Sequence, residues 1–198
     1  MARPIAKDHD DKRRKILSKA AKVFASKGFD RASVAQVADA CGVSKANLYH
    51  YYSSKDDILF DILNSYLAGL RDRVCGLDVA RQSPRDALKM TVREILLSYD
   101  GSDNEHRLQT AGLGHLSAKH QSILRGYQID LVRHLDGLLL AYEPEVFAED
   151  SAKLRATTMS IFGMLNWFYM WKSEADEAAR EEYADLVCRL TLDGVKGL

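Results

Sequence analysis

The chain has 198 residues, 46% of them hydrophobic and 28% charged, which is enough to close a core and too apolar for intrinsic disorder. Formal net charge is zero, yet residues 1–55 carry 12 Lys/Arg against 5 Asp/Glu while residues 56–198 carry 16 against 23, a head of +7 and a body of −7. A head so charged suits a polyanion, although lysine-rich amphipathic helices are also often merely solvated.

In chain order, the opening MARPIAKDHDDKRRK lacks the apolar run and cleavage site of a secretion signal. No apolar stretch is long enough to span a bilayer, so a soluble cytoplasmic protein without a membrane partner is expected. From Asp10 to Lys27, Ile16, Leu17, Ala20, Val23 and Phe24 recur at helical spacing, and Gly28 ends the pattern. Ser33 caps a second short helix with Val34, Val37 and Ala38 facing inward and Cys41 at its end. Gly42 supplies a left-handed stop, Val43 plugs the corner and Ser44 caps a third helix from Lys45 to about Tyr51 that offers Leu48 to the core. Ser54 caps a long helix running to about Val74, with Asp56 and Asp57 in its first turn. Pro84 opens another, and further helical patterns cover about 84–99, 104–117, 119–142, 151–172 and 178–195, punctuated at Gly101-Ser102-Asp103 and Glu143-Pro144-Glu145. No period-two alternation argues a sheet. The three cysteines, Cys41, Cys75 and Cys188, are odd in number and form no CxxC pair, so small buried hydrophobes are expected.

The expected fold is all-α: an N-terminal three-helix DNA-binding domain with a helix-turn-helix over residues 1–53, then a larger helical ligand-binding and dimerisation domain over 54–198. Two short helices joined by a glycine turn place the second in a major groove. On its outer face Lys45 supplies charge for phosphate, Asn47 can meet an adenine edge, Tyr49 and His50 can donate to phosphate oxygens, and small Ala46 allows close approach. Ser33 and Ser44 add phosphate contacts at their helix starts, and Lys55 begins near the same surface. Tyr52 reads as a packing ring, and Tyr51 stays unassigned. Arg3 and Lys7 read equally as a minor-groove arm or a neutral terminus. His50 has no second ligand at metal spacing, so no metal site is expected. Nucleophile elbows, glycine-rich phosphate loops and HExxH are absent, so catalysis is not expected either.

The run AAKVFASKGFDRASVAQVADACGVSKANLYHYYSSKDDILFDIL resembles the DNA-binding domain of the TetR family of transcriptional regulators, over about residues 12–63. The resemblance implies a homodimer, double-stranded operator DNA as partner, a recognition helix at Ser44 to Tyr51 and a ligand chamber in the body. By position it assigns Ser33, Lys45, Tyr49, His50 and Lys55 to phosphate or base contacts. Tyr52 departs from the phenylalanine frequent there, which leaves open how fully that ring is buried.

In the body, the last two long helices are the expected dimer surface. One carries Ile161, Phe162, Gly163, Met164, Leu165, Phe168, Tyr169 and Trp171; the other carries Tyr183, Leu186, Val187, Leu190 and Val195. Core packing within one subunit would account for many of the same residues. The intervening helices offer apolar walls for a cavity. Candidate contacts to a small-molecule effector are Arg93, Tyr99, His106, Arg107, Tyr127, Arg133, Asn166 and Trp167, although arginines on such helices are more often solvated. FGMLNWFYMW at 162–171 and LVCRLTLDGVKG near the end resemble the acyl-CoA-responsive branch of the TetR family. MARPIAKDHDDKR and GVSKANLYHYYSSKDDIL together are most similar to its phenylacetate-degradation repressors, which implies phenylacetyl-CoA as inducer and no resident cofactor. A repressor responding to a fatty acid or a hydrophobic drug is the alternative.

Overall fold

A computed structural model describes residues 3–172 and 175–194. Ten α-helices account for nearly all of them: α1 Arg3–Lys27, α2 Val34–Cys41, α3 Lys45–Tyr49, α4 Lys55–Cys75, α5 Pro84–Ser98, α6 Asp103–Gly112, α7 Ala118–Tyr142, α8 Pro144–Phe147, α9 Ser151–Trp171 and α10 Glu177–Asp193. A 3₁₀ turn, Leu113–His115, joins α6 to α7. No strand occurs among the described residues, so the all-α expectation is met. None of the described helices is long and apolar enough to cross a membrane. Val195, expected at the dimer surface, lies outside the described residues.

Differences from the sequence expectation sit at helix ends. The helix expected from Asp10 starts at Arg3, so Arg3 and Lys7 stand on its first turns. The third helix stops at Tyr49 because the His50 and Tyr51 amides bond back only three residues, to the Asn47 and Leu48 carbonyls. Pro144, read as punctuation, is the first residue of α8, where its missing N–H costs no helical bond.

The chain divides into two compact units, one built of residues up to Tyr66 with Asn104–Leu124, the other of Leu67–Asp103 with the residues from Arg125 onward. In the first unit Phe24, Val37, Leu48, Ile58, Leu59 and Leu63 are almost wholly buried. Burying such side chains is worth about 2 kcal/mol each. A Cβ on Gly112 would lie 3.3 Å from both methyls of Leu59, so α6 reaches α4 closely only through a residue without one.

In the second unit α5 lies against α10. Arg85 pairs with Asp193 and donates to the Tyr142 hydroxyl at 3.1 Å; the buried Arg180 reaches the Leu96 carbonyl at 3.4 Å and Asp100 at 3.3 Å. The cysteines only partly meet expectation. Cys188 is buried, and burial pushes its thiol up to about 12, whereas Cys41 and Cys75 are half-buried at their helix ends.

Candidate nucleic-acid interface and effector residues

The α2–α3 joint explains how a five-residue helix holds its place. Ser33 accepts the Gln36 amide at 3.2 Å while the Gln36 side chain accepts the Ser33 amide at 3.1 Å, a reciprocal capping box. Gly42 takes φ 68°, ψ 31°, and the Val43 amide returns to the Ala38 carbonyl at 3.1 Å. Ser44 then accepts the Asn47 amide at 3.1 Å. In both caps the serine oxygen serves the helix through a lone pair, and its hydroxyl proton remains available to an acceptor in front of the helix.

Leu48 is completely buried and pins α3 to the core. Ser44, Lys45, Ala46, Asn47, Tyr49 and His50 are all exposed, so this part of the expected DNA face forms one continuous surface. The Lys45 ammonium lies 5.7 Å from the Tyr49 ring centroid, one helical turn away, which keeps charge and phenol side by side. Tyr51, unassigned from sequence, lines a cleft with Asn47, Val43, Cys41 and Lys12, Lys15 and Lys19 of α1. Those lysines extend the positive surface. Their spacing of three and four residues is a visible signal on α1, and Ser33-x-x-Gln36 is an equally visible capping signature.

Lys55 differs from the other candidates. Its ammonium donates to the carbonyls of Phe29 at 2.8 Å, Ala32 at 3.2 Å and Asp30 at 3.3 Å, and lies 4.3 Å from the Phe29 ring centroid. All three N–H bonds thus hold the α1–α2 turn to the start of α4. Behind α3, Tyr52 is buried and donates to Asp61 at 2.6 Å. Asp61 also receives Arg13 through two nitrogens, one at 2.8 Å. Burial, and then the Asp61 bond, push the Tyr52 hydroxyl well above the ordinary tyrosine range, so it remains a donor. The Asp61 hydrogen bond likewise raises the Arg13 guanidinium.

The eight candidate effector residues are divided between the two units. His106 and Arg107 belong to the first unit, where buried His106 meets the Tyr66 hydroxyl at 3.0 Å and Arg107 is exposed. In the second unit Tyr99 donates to Asn166 Oδ1 at 2.7 Å, joining two of the candidates. Arg93 is turned to α10 and paired with Glu181 and Glu177. Tyr127 carries the Arg71 guanidinium over its ring at 5.2 Å, and Arg133 is exposed. Trp167 is 62% exposed on an outward stripe of α9 with Met159, Gly163, Met170 and Trp171. Ile161, Phe162, Leu165 and Phe168 instead face the core of the second unit, and Phe168 stacks on Tyr183 at 4.6 Å. The expected dimer set therefore divides between a core face and an open face. Among the described residues, no group of three His, Cys, Asp or Glu side chains could hold a metal ion.

Comparison with known proteins agrees with this geometry. The model of bacterial regulatory proteins of the tetR family matches residues 16–62, and the tetracyclin repressor-like C-terminal domain model matches residues 81–195. The uncharacterized HTH-type transcriptional regulator YuxN of Bacillus subtilis (strain 168) is 29% identical over 138 residues, 67% of this chain and 46% of YuxN. The chain spans about half the length of the curated relatives it matches. A TetR-family transcriptional regulator from Bordetella parapertussis 12822 superposes with TM-score 0.87 at 29% identity, covering 94% of this chain and 96% of that one. FadR from Bacillus subtilis, solved in complex with stearoyl-CoA, shares the fold with TM-score 0.70 at 18% identity, over 92% of this chain and 98% of FadR.

Proposed function

Because the chain belongs to the tetR family of bacterial regulatory proteins, and is therefore a DNA-binding regulator and not an enzyme, we propose that it is a homodimeric, cytoplasmic transcriptional repressor released from palindromic operator DNA by an acyl effector. The observation that carries the DNA half is the two-faced α3, with Leu48 buried and the residues around it exposed. Lys45, Ala46, Asn47, Tyr49 and His50 enter the major groove, the Ser33 and Ser44 hydroxyls meet phosphate, and Lys12, Lys15 and Lys19 add charge along the backbone. Lys55 keeps the turn before Ser33 in place. The outward stripe of α9 pairs two copies, whose heads then read two half-sites.

The effector is a fatty acid or its CoA thioester. The FadR complex with stearoyl-CoA supports that class, and Tyr99 with Asn166 is the polar pair that would orient the ligand among apolar side chains of the second unit. Phenylacetyl-CoA is the specific thioester that the phenylacetate-type sequence resemblance favours. A ligand changes DNA affinity only by binding one conformation better, and α4, with residues in both units, is the element it would shift. A thermal-shift screen with stearoyl-CoA, phenylacetyl-CoA, stearate, free CoA and a cationic dye tests the class. Stabilisation by acyl compounds and not by free CoA or dye is expected. Stabilisation by the dye alone would replace this effector class with a hydrophobic drug.

A further inference from the structure

We propose that a cavity formed within the first unit, between the α1–α2 turn and the α6–3₁₀ segment, is a separate small-molecule site that takes an apolar chain ending in a carboxylate. The cavity measures about 490 Å³, within the range of small-ligand sites. Its apolar wall is ordered. Phe24 and Phe29 meet edge to face at 5.2 Å, and Phe29 lies 4.8 Å from the His115 ring. Arg31 stands on the turn side and Arg107 on the α6 side. Arg31 engages the Lys27 carbonyl through its Nε at 3.0 Å, which leaves its terminal nitrogens able to receive a carboxylate.

Asp30 is the acidic residue of this wall. Its carboxylate stands 3.4 Å from His115 Nδ1 and is 80% exposed, so it projects to solvent at the rim. The terminal nitrogens of Arg31, with Arg107 on the opposite wall and the Asp30 carboxylate turned outward, favour an anionic ligand and disfavour an amine of the same length. Every lining residue belongs to the first unit, whereas Tyr99 and Asn166 belong to the second, so this site goes beyond the acyl-effector reading and stands without it.

The test uses the full chain, with octanoate as probe and octylamine as its cationic counterpart. Binding is followed by NMR at the His115 ring, whose signal is assigned by its loss in His115→Gln. Octanoate is expected to shift that signal saturably and octylamine is not. An Arg31→Gln/Arg107→Gln double variant should weaken octanoate binding about tenfold or more, as expected on losing charge-assisted hydrogen bonds. Ala111→Trp, at the exposed edge of the cavity, should abolish binding by filling it. If Ala111→Trp fails to fold, the double arginine variant decides. No saturable shift with octanoate, undiminished binding in the double variant, or an equal response to octylamine would overturn the proposal. Each of these outcomes leaves the acyl-effector reading intact, because that reading is tested by thermal shift with the thioesters and by DNA release, not at the His115 ring.

Discussion

The Lys55 ammonium donates 2.8 Å to the Phe29 carbonyl, twenty-six residues earlier in the chain, and two further carbonyls of the same turn complete its shell. A lysine at a helix start beside a DNA-reading surface suggests a phosphate contact, but here its three donors position the turn that feeds Ser33. The two roles separate in salt dependence. Each phosphate contact adds about 0.9 to the slope of log affinity against log salt. Lys55→Met is expected to weaken operator binding about tenfold while leaving that slope unchanged. A slope reduced by about 0.9 would assign Lys55 to phosphate instead.

Asp61 gathers Tyr52 and Arg13 behind α3. Tyr52→Phe removes one donor and should cost about 1 kcal/mol in urea unfolding. Asp61→Asn removes the charge both partners face and should cost about 2 kcal/mol, discounted from the fully buried case because the Arg13 side chain is 43% exposed. A Tyr52→Phe variant less stable than Asp61→Asn would contradict this ranking.

Much of the head was legible because its signals are local. The Ser33 cap, the Gly42 stop and the Ser44 cap each depend on residues within four positions, and inward Leu48 follows from helical period. What escaped depends on distance in sequence. Nothing near Lys55 announces that carbonyls from Phe29 to Ala32 will surround it, and nothing near Tyr52 points to Asp61. In the body, helical period located apolar faces but not which neighbour each one meets. Arg93 pairs with Glu181 and Trp167 lies on an outward stripe of α9, two placements that the spacing along their own helices does not announce.

That stripe leads to a prediction about assembly. Trp167 and Trp171 are 62% and 57% exposed beside Met159, Met170 and Gly163 on one face of α9. Aromatic anchors at an interface centre are typically worth about 2 kcal/mol or more. Trp167→Glu is expected to raise the dimer dissociation constant at least about thirtyfold in sedimentation equilibrium. An unchanged constant would place the dimer contact elsewhere.

His134 sets a pH response. Burial depresses its pKa below 6.5, and its Nε2 stands 3.5 Å from Thr91 Oγ1. Protonation is then easier in the unfolded chain, so its stabilising contribution is full above 6.5 and is lost as pH falls through the depressed folded value. Between about pH 8 and pH 5 the wild type should lose more stability than His134→Asn. Equal losses would remove His134 as the cause.

The most direct measurement follows DNA release. A palindromic duplex is selected from a random pool by the full chain, and its fluorescence anisotropy is followed while stearoyl-CoA, phenylacetyl-CoA or free CoA is titrated. Loss of the bound signal with one or both thioesters, with free CoA inert, is the expected result. A duplex that stays bound at saturating thioester would contradict an acyl-released repressor, and failure to select any palindrome would contradict the reading of α3 as its DNA-recognition helix.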